Sequence, residues 1–358
     1  MKILMIGGTW NDNGGKRSSL IASIADKIKA TKNHVVKTLN GGSYCNLLDS
    51  LYGLAPWADT IFWFPNVPND KEKVKEIKKR FPTKMLVTSK RNNNEYSFME
   101  LTNRALADKA NLVLEFSKQD DGLYAGRVFD PLGAVWCDYT TDFKKVVDAL
   151  LSRLEYISGV TRVSSMQINL DSLKAPENGE FYDLIKKYAE DFHTLISPEK
   201  GVERFLGNAS FRCIKGGFPS FRGADGIIFV SRRNIDKRYI GQEGFVATRL
   251  SEKGNVEYWG PNKPSVDTPI QLRLYDKMPN VNYMLHAHVY VDGAPYSDYP
   301  VPCGAIEEVD KILGLVDPND TDFAINLLGH GSIVFAKDVE YLKDIKYIAR
   351  GIPEIMDR

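Results

Sequence analysis

The sequence predicts two α/β domains, the first built on a doubly wound parallel sheet. Strand-like apolar runs alternate with amphipathic helical runs through roughly the first 160 residues. The connections between those strands are long enough for helical crossovers, which parallel pairing requires. A polar, proline-containing stretch, VSSMQINLDSLKAPENGE, then separates this alternation from a second set of elements. The expected division is a first domain over 1–160, a linker over 161–177 and a second domain over 178–358. A chain of 358 residues can bury a core in each.

The first half reads as follows. KILMIGG is a buried strand stopped by Gly7 and Gly8, and SSLIASIADKIKA follows with helical spacing. HVVKTL and DTIFWFP are strands, the latter followed by the charged helix NDKEKVKEIKKRF. KMLVTS is a strand followed by a helix around FMELTNRALADKA. NLVLEFS is the last strand, and FKKVVDALLSRLEYI is the closing helix.

The first loop, GGTWNDNGGKRSS, ends a strand at the edge where such folds bind ligands, next to the amide-rich start of a helix. Gly14, Gly15, Lys16 and Ser18 suit a phosphate there, as part of a nucleotide or flavin. A tight turn with a capped helix explains the same residues. The loop is neither Gly-x-Gly-x-x-Gly nor a Walker loop, because Arg17 follows Lys16. It loosely resembles the opening of flavodoxin-like FMN reductases over about thirty residues. That resemblance implies a flavodoxin-like or Rossmann-like domain. FPNVPND and SKRNNNEY would rim the same edge.

Composition narrows the partners. Lys and Arg number 47 against 46 Asp and Glu, with no long run of one sign, so nothing points to nucleic acid or an acidic membrane. No apolar run is long enough for a membrane span, and the N-terminus opens directly as a strand rather than a signal peptide. Cys45, Cys137, Cys213 and Cys303 are scattered, which suggests reduced thiols and a cytoplasmic protein.

In the second half a helix is expected at FYDLIKKYAEDFHTLI, with His193 as a surface or packing residue. NYMLHAHVYV is a strand carrying His286 and His288 on one face, with Leu285, Ala287 and Val289 on the other. Two parallel imidazoles can share a metal, or be two core histidines bonded to neighbours. Gly329-His330-Gly331 ends another strand, where glycines let the backbone turn and present the ring. Asp267, in KPSVDTP, stands at the start of a helix with proline just inside it, an N-cap position.

These segments resemble the class II aldolase/adducin superfamily, which includes fuculose-phosphate aldolases and ribulose-phosphate 4-epimerases. The resemblance rests on Gly207-Asn208-Ala209-Ser210-Phe211-Arg212, on Lys263-Pro264-Ser265-Val266-Asp267, on His286-Ala287-His288 and on Gly329-His330-Gly331, in that order, and spans about 178–345. It implies a class II aldolase-like α/β domain with a catalytic zinc, or another divalent metal, on His286, His288 and His330. It implies that Asp267 is a fourth ligand or proton-transfer group. Asn208, Ser231, Arg232 and Ser265 would contact substrate. Tyr296 or Tyr299 would supply the acid or base on the far side, in some relatives from an adjacent subunit, and the expected assembly is a homo-oligomer, a tetramer by resemblance.

The chain departs from the family pattern in its phosphate pocket. Arg232 stands where a glycine follows the serine, and Val266 replaces a second serine. Arg232 and Arg233 can donate to an anion in place of a backbone nest, or be solvated surface charges. Tyr341 and Tyr347 remain near the C-terminus without an assigned role. The expected activity is zinc-dependent retro-aldol cleavage or formation of a C–C bond in a sugar-like, anionic small-molecule substrate. The alternatives are an epimerase using the same step, a non-catalytic adducin-like module, and a nucleotide- or flavin-binding protein acting through its first domain.

Overall fold

The computed structural model describes residues 1–31, 33–67, 70–82, 84–92, 95–196, 207–213, 226–350 and 354–355. Its contacts divide it into two compact units, Met1–Ser158 with Ile352–Arg358, and Gly159–Gly351.

In the first unit, β1 (Lys2–Asn11), α1 (Ser19–Ala30), β2 (Val35–Ser43), α2 (Tyr44–Leu54), β3 (Thr60–Trp63), α3 (Asp70–Arg80), β4 (Met85–Arg91), α4 (Phe98–Ala107) and β5 (Leu112–Lys118) alternate along the chain. The five strands are parallel in the order 2-1-3-4-5, one of the two common doubly wound orders. Ile3 to Ile6 are fully buried, as expected of a strand covered on both faces.

Three features were not expected. A helix, α2, fills the crossover between the second and third strands. An antiparallel hairpin, β6 (Tyr124–Phe129) and β7 (Ala134–Thr140), extends the sheet beyond β5 before α5 (Phe143–Gly159). Its turn at Asp130–Gly133 closes with the Asp130 amide donating to the Ala134 carbonyl at 2.8 Å. The glycine pair Gly7–Gly8 does not stop β1, which runs on to Asn11 through a register shift. A Cβ on Gly7 would meet Ile21 at 2.5 Å, so that glycine lets α1 lie close on the sheet.

The second unit holds β8 (Ser165–Asn169), α6 (Gly179–Ile196), β9 (Asn208–Arg212), β10 (Ile228–Ser231), β11 (Phe245–Leu250), β12 (Val256–Trp259), α7 (Thr268–Lys277), β13 (Tyr283–Ala287), β14 (Tyr290–Val291), α8 (Glu307–Leu313), β15 (Phe323–Leu327), β16 (Gly331–Ala336), α9 (Val339–Leu342) and β17 (Tyr347–Ile348). Its sheet runs β15-β16-β13-β9-β10-β11-β12-β8, antiparallel throughout except for the parallel β12–β8 pair. One face packs under α6 and α9, where Leu285 and Ala287 meet Phe181 and Tyr188. The other packs under α7 and α8, where Met284 meets Leu274, Tyr275 and Ile312.

Two boundaries therefore move. The stretch expected as a linker, 161–177, contains β8, hydrogen-bonded along β12. This edge strand has almost no buried face, with Met166 and Ile168 exposed, so its sequence carries no alternation to read. At the other end, Glu354–Ile355 pairs with β7 of the first unit, so the second domain does not run to 358.

A fragment covering residues 159–350 is expected to fold alone. One starting at Pro176 loses β8 and bares the edge of β12, and is expected to aggregate more. Size-exclusion profiles of the two fragments check this, and equal monodispersity would show that β8 is dispensable.

Candidate metal centre

His286, His288 and His330 converge in the second unit, all three buried, with one ring nitrogen of each within 4.8 Å of the others. Their ring centroids are 4.9–5.1 Å apart. His286 lies on β13, opposite Asn208 of β9 and Ile333 of β16. His288 lies one residue past the end of β13. His330 sits in the turn between β15 and β16, its amide bonded to the Leu327 carbonyl at 2.8 Å.

Two glycines permit this convergence. A Cβ on Gly331 would stand 2.0 Å from the Ala287 carbonyl oxygen, and one on Gly207 would stand 2.3 Å from that of His286. Real Cβ atoms do not approach a backbone oxygen so closely, so both glycines are needed for β16 and β9 to flank β13 at this spacing. Gly207 also has φ of +90°, which favours glycine.

The rings are oriented from behind. Nδ1 of His286 is 2.9 Å from the Ser332 carbonyl oxygen, and Nδ1 of His330 is 2.9 Å from Oε1 of the buried Glu308. Each bond turns Nε2 inward, the usual arrangement behind a metal-bound imidazole. Nε2 of His286 is buried without a hydrogen-bond partner. Burial, then the neighbouring His330, push the His286 pKa down to about 4, against the pull of Asp267. At neutral pH that ring is an uncharged donor. Burial would lower His330 too, but Cys303 and Glu308 outweigh it and hold it well above the ordinary value. Burial raises Glu308, with His330 opposing. The donor set and the orphaned nitrogen fit a divalent metal.

Asp267 occupies the N-cap position of α7, yet its side chain makes no capping hydrogen bond. Its carboxylate turns inward instead. Oδ2 accepts from Asn208 Nδ2 at 2.9 Å and lies 4.0 Å from His286 Nε2, while Oδ1 is buried without a partner. The capping role expected of this side chain is thus absent. Asn208 is held in turn by Gln271, which donates to its Oδ1. Along β9, Asn208, Ser210 and Arg212 share the face towards α7: Ser210 meets the Tyr275 hydroxyl at 3.1 Å, and Arg212 donates to the carbonyls of Tyr275 and Val281. The Gly-Asn-x-Ser-x-Arg spacing is therefore one strand face docking one helix.

Other expected residues fall into different places. Ser231 is fully buried and its Oγ accepts from the Ala209 amide at 3.1 Å. Ser265 Oγ accepts from the Asp267 amide at 3.4 Å. Arg232 donates to Asn262 Oδ1 at 2.9 Å, and Arg233 to the Pro264 carbonyl at 3.3 Å, so both brace the loop that delivers Asp267. Val266 packs where a Cβ on Gly304 would stand, beside Cys303. Tyr296 is exposed with its ring edge-on to Tyr290 at 5.0 Å, and the Tyr290 hydroxyl accepts from the Gly329 amide beside His330. Tyr299 is partly buried on the same segment. Tyr347 meets Tyr188 and Phe192 edge-on, and Tyr341 packs in that cluster on the α6 face, away from the face that carries His286. His193 is exposed on α6.

Three residues at the site were missed. Glu308 shares the inward face of α8 with Ile312, one turn on, and a carboxylate in an apolar stripe was the available signal. Cys303 brings its Sγ within 3.1 Å of His330 Nε2. Lys237 is buried, acts electrostatically on both Asp267 and His286, and is pushed down to about 8 by burial against the pull of Asp236 and Asp267. No periodic pattern marked the last two.

In the first unit the expected ligand loop is largely satisfied by the protein. The Ser18 amide donates to Asn40 Oδ1 at 2.9 Å, and Ser18 Oγ caps α1 by accepting from the Ile21 amide. The Lys16 carbonyl accepts from Thr9, and the Gly15 amide donates to Gly42. A Cβ on Gly14 would meet no atom of the described residues within 4 Å. This is the geometry of a tight turn with a capped helix.

Residues 193–291 match the family model described as Class II Aldolase and Adducin N-terminal domain. That span contains Asp267, His286 and His288; His330 follows it. No curated protein matches the chain. Among solved structures, YgbL from Klebsiella pneumoniae, a candidate aldolase/epimerase/decarboxylase, is 16% identical, with 46% of this chain and 83% of that one covered at a TM-score of 0.31. An L-fuculose 1-phosphate aldolase is 17% identical, with 46% and 82% covered at 0.30. The DNA/Pantothenate Metabolism Flavoprotein from Streptococcus pneumoniae is 9% identical, with 43% and 98% covered at 0.34.

Replacing Gly331 with alanine is expected to destabilise the protein by about 1–3 kcal/mol, the usual cost of forcing an extra carbon into a filled space. Denaturant unfolding checks it, and an unchanged midpoint would mean that strand spacing is not set at this residue.

Proposed function

The second unit carries a class II aldolase-like domain, and from that premise we propose that the protein is a zinc-dependent aldehyde-lyase that makes or breaks a C–C bond in an anionic, sugar-like substrate. The observation that supports this most is the inward-facing Asp267 beside three buried histidines. A capping residue would bond its own helix. This one leaves a carboxylate oxygen unspent next to the imidazoles.

His286, His288 and His330 would hold the metal, which supplies Lewis-acid polarisation of a substrate carbonyl and its neighbouring hydroxyl. Asp267 accepts the proton of the hydroxyl on the carbon that leaves as aldehyde. The C–C bond then breaks with its electrons drawn towards the carbonyl. Asn208 fixes the carboxylate's orientation, and Glu308 fixes His330. Lys237 supplies positive charge for an anionic substituent, in place of the glycine-rich turn replaced by Arg232. Tyr296, exposed beside the Tyr290–Gly329 contact, is the candidate for protonating the other product, within an oligomer of this chain.

The resemblance covers 4-epimerases as well as aldolases, and KPSVDTP with its aspartate at 267 is the closer to the epimerase pattern, so re-addition of the aldehyde to its opposite face is the second reading. Product stereochemistry separates the two.

Condensation of dihydroxyacetone phosphate with a panel of small aldehydes, followed by NMR, is the assay. Asp267→Asn is expected to remain folded and to lose about 100- to 10,000-fold in rate, the usual contribution of a proton-transfer group. Asp267→Ala should be about as stable as Asp267→Asn, because the wild-type side chain makes no cap bond. Full activity in Asp267→Asn would remove the carboxylate from the chemistry.

A further inference from the structure

We propose that the first unit binds a phosphate-type oxyanion in the cleft at the carboxyl ends of β3 and β4. In sheets of this strand order, ligands sit outside the carboxyl ends of the strands, at the switch point between β1 and β3. Here that crevice is closed by backbone. The Asn66 amide donates to the Gly8 carbonyl at 2.8 Å, and the Trp10 amide donates to the Asn66 carbonyl at 3.1 Å. The opening is displaced by one strand, to a cleft of about 160 Å³ bordered by Asn66, Ser89, Lys90, Arg91, Tyr96 and Arg104.

Its charge is unbalanced. Lys90 pairs with the buried Asp108. Arg91 and Arg104 add two more cations, so three cations and no carboxylate are among the described residues lining the cleft. Of the nearby carboxylates, Glu115 holds Arg127 at 2.6 Å, and Glu100 holds the Ser97 amide and hydroxyl in a capping box while also acting on Arg104. The Arg104 guanidinium lies over the Tyr96 ring at 4.2 Å, and its buried Nε has no hydrogen-bond partner among the described residues. Stacking fixes the plane of the guanidinium without using its N–H edge. A buried donor left unpaired is unfavourable until an acceptor arrives. A guanidinium held in plane is suited to bidentate donation to an oxyanion.

The platform is anchored. Asn92 accepts from the amides of Glu95 and Tyr96 at 3.1 and 3.2 Å, and donates to the Tyr96 carbonyl and to Glu115 Oε1 at 3.0 Å each. Tyr96 is thereby tied to the buried Glu115–Arg127 pair. The cleft is smaller than the roughly 300–1,000 Å³ of pockets that enclose a whole organic ligand. It suits the anionic end of one, such as a phosphomonoester. In the first loop the Gly15 amide is bonded to the Gly42 carbonyl and the Gly14 amide to that of Asn11.

Calorimetric titration of the full chain with inorganic phosphate at low salt tests the proposal. Arg104→Gln is expected to weaken binding at least about tenfold, as loss of a bidentate charge-assisted donor should. Exposed Arg91→Gln, where misfolding is not at issue, is expected to weaken it less. Arg80→Gln removes the same charge elsewhere in the same unit and is expected to leave affinity unchanged. Absence of phosphate binding, full affinity in both Arg104→Gln and Arg91→Gln, or equal weakening by Arg80→Gln would each overturn it.

Discussion

Three imidazoles buried within 4.8 Å of one another cannot all be charged, and the second unit is arranged to keep them there. The spacing is a backbone property before it is a side-chain one. Gly331 and Gly207 let two strands approach β13 more closely than any other residue would allow. Glu308 and the Ser332 carbonyl then take the outer nitrogens of His330 and His286, so that both Nε2 atoms turn inward, that of His286 unpaired among the described residues and that of His330 towards Cys303. Removing the glycines would separate the rings, whereas removing the outer acceptors would let them rotate.

The same economy explains Asp267. A residue at the start of α7 is held in place by the helix and by the Lys263–Pro264 loop, which Arg232 and Arg233 brace. Its side chain then faces the histidines, with Asn208 donating to it at 2.9 Å. Both arginines were candidates for substrate contact. Their observed partners lie on the loop behind the site, and this leaves Lys237 as the buried cation that acts on Asp267.

Much of this was legible in the sequence, and what was not has physical reasons. His286 on an alternating strand and His330 between glycines could be read because periodicity and glycine punctuation are local. The parallel strands of the first unit could be read because they are apolar on both faces. The hairpin β6–β7 was passed over although Asp130–Gly133 is a turn signal between two apolar runs. The edge strand β8 was hidden because it buries almost nothing. Cys303 and Lys237 reach the site from irregular segments, where no period exists to mark them. The inward turn of Asp267 is a rotamer, which no pattern of residue types encodes.

The central claim is that the three histidines hold a metal. Metal content of the purified full chain by mass spectrometry, against His288→Ala purified in parallel, tests it most directly. One equivalent of zinc per chain in the wild type and its loss in His288→Ala is the expected result. Equal metal in both proteins, or none in a wild type that has been supplied with zinc, would contradict it.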